Sequence, residues 1–132
     1  MISDADQALY ARQILLPELG LAGQARLAAT EVSFAQTAEP RARAVAHDYL
    51  SRAGLASVDS SPGAAASSGR TRRQVELPSC HQLQVLAGEP ALEECAAWLA
   101  GALAAVELIK ASCGAGEPVS LAADFVLATE VR

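Results

Sequence analysis

EVSFAQTAEPRARAVAHDYLSRAGLASV, residues 31–58, decides how the chain is organised. The apolar run Val32 to Ala35 leads through Gln36-Thr37-Ala38-Glu39-Pro40 into a segment where Val45, Tyr49 and Leu50 recur at helical spacing, ending at Gly54. The pattern predicts a strand, a tight turn and a helix, with Thr37 or Ala38 at the helix cap. In nucleotide-binding α/β proteins a turn in this position carries glycines, because the backbone must approach a phosphate closely and aim free N–H groups at it. This turn contains none. Pro40 has no N–H to offer, and Glu39 would set a negative charge beside any phosphate, whereas both suit the first turn of a helix. Arg41 and Arg43 are expected at the surface, an anion contact being the other reading.

Upstream, Ser3 followed by Asp6 resembles a capping box and predicts a short helix to about Arg12. Pro17 and Gly20 interrupt the chain, and Ala22 to Ala29 predicts a second short helix feeding the strand.

Downstream, Ser60 to Gly69 is small and polar without periodicity, and Arg70-Thr71-Arg72-Arg73 follows; together they predict a flexible linker at about 59–73. Gln74 to Leu77 and Gln82 to Leu86 read as short strands. Gly88-Glu89-Pro90 introduces a helix from about Ala91 to Ser112, with Gly114 as its C-cap. Leu99, Leu103, Val106 and Ile109 form its apolar stripe, while Gly101, Ala102, Ala104 and Ala105 would let another backbone come close. The tail, Val119 to Val131, suits a closing strand or two.

With 132 residues the chain fits one domain with a real core. Apolar residues make up 52% but aromatics only 4%, so that core must be built from Ala, Leu and Val. A net charge of -5 argues against a nucleic-acid partner or an anionic membrane surface. The longest apolar run, Cys95 to Val106, is too short to span a bilayer, so no membrane role is expected. Met1 is followed by Ile-Ser-Asp-Ala-Asp, with neither the basic nor the apolar region of a signal peptide. Cys80, Cys95 and Cys113 are odd in number and form no C-x-x-C pair, which fits a reduced, cytoplasmic setting.

Several strings point to a family. Tyr10-Ala11-Arg12-Gln13-Ile14-Leu15-Leu16-Pro17-Glu18-Leu19-Gly20, then Gly23-Gln24 and Leu27, resembles the N-terminal signature of the ThiF/MoeB/HesA family, the ubiquitin-activating-enzyme-like adenylyltransferases. Tyr49-Leu50-Ser51-Arg52-Ala53-Gly54 is similar to the end of that family's first helix. Gly101 to Lys110, then Gly114-Ala115-Gly116-Glu117-Pro118, resembles its late helix and following turn. The resemblance covers about the first 58 residues and the last 40. Gln36 to Arg41 stands where the family has a glycine-rich ATP loop, and the linker stands where it carries ATP contacts, a magnesium-binding Asp, zinc Cys pairs and a catalytic Cys. Asp59 falls too early for the family's ribose-gripping acid.

The resemblance therefore implies a single truncated ThiF-like domain over residues 1–132, with a reduced Rossmann-like α/β fold: a mainly parallel sheet flanked by helices. It implies a pseudoenzyme without catalytic or metal residues, needing ATP and magnesium only if the family activity survives. Shortening a doubly wound sheet should expose apolar faces and edges, for which oligomerisation is the natural cover. The implied partners are a second copy, a full-length ThiF-like protein, or a ubiquitin-like sulfur-carrier protein for which the chain is a binding module. Arg12 matches the family arginine that reaches into the partner subunit's ATP site, an in-trans phosphate contact suited to a guanidinium fork. Its other reading is a local cap or a pair with Glu18 or another acid.

The remaining candidates have plainer expectations. Cys80 and His81, adjacent in an extended segment, would point to opposite faces and make a poor nucleophile and base, so Cys80 is expected half-buried. Cys95 and Cys113 lie eighteen residues apart, about 27 Å along a helix, too far to share a metal, and are expected in the core. His47 has no metal-spaced partner. Trp98 is expected to anchor packing, and Arg70, Arg72 and Arg73 to be solvated, an anion or partner contact being the alternative.

Overall fold

Two apolar residues of one short strand, Val32 and Phe34, place the core. The computed structural model describes residues 2–59 and 69–117. Helices α1 (Asp4–Leu9), α2 (Ala11–Ile14) and α3 (Gly20–Ala28) precede strand β1 (Thr30–Phe34), helix α4 (Pro40–Arg52) and strand β2 (Ser57–Asp59). Strand β3 (Thr71–Val75), helix α5 (Cys80–Ala87), a single 3-10 turn (Pro90–Leu92) and the long helix α6 (Glu93–Cys113) follow. The described strands form a parallel sheet in the order β2-β1-β3. The chain is thus α/β, with β1 at the centre and α4 as the crossover to β2.

Side chains alternate along a strand, so Val32 and Phe34 share one face of the sheet with Val75, which lies opposite Phe34. That face packs on Ala46 and Leu50 of α4 and on Ala104, Ala105 and Leu108 of α6. Phe34 and Leu50 are fully buried, each worth about 1.5–3 kcal/mol by area removed from water. A second cluster joins Ala42 of α4, Leu83 and Ala87 of α5, and Ala96 and Ala97 of α6. The small side chains are what allow α4 and α6 to run so close.

The two helices approach closely at Gly101, where a Cβ would sit 2.3 Å from the carbonyl oxygen of Ala42 and 2.9 Å from Cβ of Val45. This corrects the expected stripe on α6. Gly101, Ala104, Ala105 and Leu108 face inward, while Leu99, Leu103 and Ile109 are only half-buried and Val106 is exposed. On α4, likewise, the buried face is Ala42, Ala46 and Leu50, with Tyr49 outside. By length and composition the 24-residue segment Pro90–Cys113, which holds an 18-residue window of mean hydropathy 1.4, would suffice to cross a bilayer; here its small-residue face packs on α4.

Three further expectations are corrected. The segment Gln82 to Leu86 is helical, because Ser79 accepts from the N–H of Gln82 and the Gln82 side chain accepts from the N–H of Ser79, a complete capping box. The strand expected at Gln74 to Leu77 starts earlier and ends at Val75, so Thr71 to Arg73 belong to the sheet and not to a linker. The sheet face away from α4 and α6 is polar among the described residues, carrying Glu31, Ser33, Arg72 and Gln74, so the expected exposed apolar sheet face is not found there. The exposed apolar side chains lie instead on the helices and the turns beside them, at Leu9, Leu15, Leu16, Leu21, Val85 and Trp98. The C-cap at Gly114 is as expected, left-handed at φ 72°. The expected closing strands in Val119 to Val131, and most of the expected linker, lie outside the described residues.

Candidate functional site

In a parallel sheet whose central strand has neighbours reached in opposite directions, the crevice beyond that strand's C-terminal end is the position for a ligand. Here that position is the turn between Phe34 and Pro40. The N–H of Ala38 donates to the carbonyl of Ala35 at 3.1 Å, closing the turn. Glu39 then adopts an extended backbone and caps α4. Pro40 explains why the cap is Glu39 and not Thr37 or Ala38: its fixed φ and missing N–H favour the first helical position, which places the cap one residue earlier.

The Glu39 carboxylate is spent on its own helix. Oε2 accepts from the N–H of Ala42 at 2.8 Å, and Oε1 accepts from Nε of Arg41 at 2.6 Å. Its side chain is only 4% exposed. Arg41 also reaches Glu93 at the start of α6, at 3.5 Å, and the hydrogen bond to Glu39 pushes its guanidinium pKa up. The segment after β3 lies across the same turn: the N–H of Glu39 donates to the carbonyl of Pro78 at 2.8 Å, and Ala38 bridges Ser79 in antiparallel fashion. The negative cap and the Pro78-Ser79 segment thus occupy the N-terminus of α4, where an anion would have to bind. Arg43 turns back over the Phe34 ring, 5.5 Å from its centroid, so it is not the free surface cation expected.

Removing the Glu39 carboxylate strands the buried N–H of Ala42 and the helix dipole together. Glu39→Ala is expected to cost about 2 kcal/mol in a urea titration. Glu39→Gln, which keeps an acceptor at the cap, should lose clearly less; equal losses would mean that the cap bond contributes nothing.

The opposite end of α4 gathers the residues of the N-terminal string. Nε2 of Gln13 donates to the carbonyl of Arg52 at 3.4 Å, and Nε2 of Gln24 to that of Ala53 at 3.0 Å. Gly54 follows at φ 87°, and the Tyr10 ring fills the space where a side chain would stand, 2.6 Å from an ideal Cβ. The two glutamines satisfy carbonyls of the helix end and the Tyr10 ring packs beside them, a structural reason for the string. Arg12 takes no part. It is exposed on α2 and forms no ion pair among the described residues, so the expected local pair with Glu18 is not found.

The basic cluster is not solvated linker. Nη1 of Arg70 and Nη2 of Arg72 each lie 3.2 Å from the carboxylate of Glu31, whose side chain is 6% exposed at the centre of the sheet. Arg73 turns to the other face and donates to the carbonyl of Ala111 at 3.3 Å. Nη1 of Arg26 donates to the carbonyl of Cys113 at 2.6 Å, so two guanidiniums meet the negative end of α6. Glu31 escaped notice in the sequence because its partners lie 39 and 41 residues away.

Cys80 and His81 occupy the first turn of α5, and both are exposed, not half-buried in an extended segment. Cys95 is exposed, contrary to expectation, because α6 presents its alanines inward; Cys113 is buried, as expected. Burial pushes the Cys113 thiol up, with the Arg26 charge opposing. Two thiols should therefore react with a disulfide reagent at pH 8 within minutes and the third only on unfolding. Three equally fast thiols would contradict the buried position of Cys113. His47 is exposed, and Trp98, 52% exposed, meets Tyr49 edge-on at 6.2 Å instead of anchoring the core. Among the described residues no three His, Cys, Asp or Glu side chains are grouped to hold a metal ion. Asp59 ends β2.

Comparison with family models, with curated proteins and with solved structures found no match to this chain.

Proposed function

We propose that the chain is a shortened, non-catalytic relative of the ThiF/MoeB adenylyltransferases, Rossmann-like in fold, that works in the cytoplasm as a subunit partner. The observation that carries the proposal is the Glu39 carboxylate bound to the N–H of Ala42, with Pro78 on the N–H of Glu39, at the helix end where a nucleotide phosphate would sit. A carboxylate already held there competes with a phosphate by charge as well as by space. The parallel order β2-β1-β3 with α4 as crossover supports the finer fold, since it has the reversal around a central first strand that such folds share. Exposure of Arg12 supports a role toward a second subunit, either another copy or a full-length ThiF-like protein, because its guanidinium is not engaged locally.

Isothermal titration with ATP and magnesium is expected to give no heat of binding at micromolar nucleotide. Micromolar affinity together with adenylylation of a ubiquitin-like sulfur carrier would overturn the non-catalytic assignment. In a complex with a full-length family member, Arg12→Ala should slow the partner's adenylylation by about tenfold, the loss of one charge-assisted hydrogen bond. An unchanged rate would remove Arg12 from the mechanism and leave docking of the carrier protein as the role to pursue.

A further inference from the structure

We draw no further inference here: the strongest candidate, the exposed aromatic patch formed by Tyr49 on α4 and Trp98 on α6, carries nothing because nothing in the structure shows what covers it.

Discussion

Gly101→Ala is expected to destabilise the fold by about 3 kcal/mol, although alanine is the better helix former by about 1 kcal/mol. The added methyl would stand 2.3 Å from the backbone oxygen of Ala42, and a backbone atom within a capped helix cannot swing aside as a side chain end would. Relief requires α4 and α6 to separate, which loosens Ala46, Leu50, Ala104 and Ala105 in the main cluster at once. Measured by thermal unfolding, the loss should lower the midpoint by on the order of 10 °C for a chain of this size. Gly101→Val should lower it further. A stabilised Gly101→Ala protein, as helix propensity alone would produce, would show that the two helices are not in contact at this point.

The second large effect is expected from removing the two arginines that face Glu31. Arg70→Ala with Arg72→Ala takes two cationic partners from a carboxylate that is 6% exposed, and removing a partner of a buried charge costs up to about 3–5 kcal/mol. The reverse change should be milder. Glu31→Gln leaves Arg70 and Arg72, whose side chains are 43% and 28% exposed, able to turn to water, so a loss of about 1 kcal/mol is expected. Urea titrations of the three proteins would measure this asymmetry. Equal losses from the two changes would mean that Glu31 is no more buried than its partners. Either arginine alone should cost less than the pair, because the other still meets the carboxylate.

The elements legible in the sequence were those with local signals. The apolar run at Val32, the Glu39-Pro40 start and the stop before Gly54 announced β1 and α4, and the Gly114 cap announced the end of α6. Where two local signals competed, the weaker-looking one prevailed. Gln82-Leu83-Gln84-Val85 alternates as a strand would, yet Ser79 with Gln82 forms a capping box, and eight residues of helix follow it. The first residues of strand β3, Thr71 to Arg73, were hidden for a different reason: the arginines look like solvated linker until their carboxylate arrives from another strand.

The candidate site divides in the same way. Absence of glycine and presence of Glu39-Pro40 in the first turn follow from residue order alone, and so does the prediction of a helix whose N-terminus carries a negative charge. Closure of that end by Pro78 and Ser79, some forty residues later, has no local trace, since it depends on β3 lying parallel to β1. Likewise, an alanine- and leucine-rich helix such as α6 is apolar almost all round, so periodicity could not choose which face turns inward. That choice fell to tertiary fit: Gly101 leaves room for the backbone of α4 at Ala42, and dispersion favours the face that lets two helices come close.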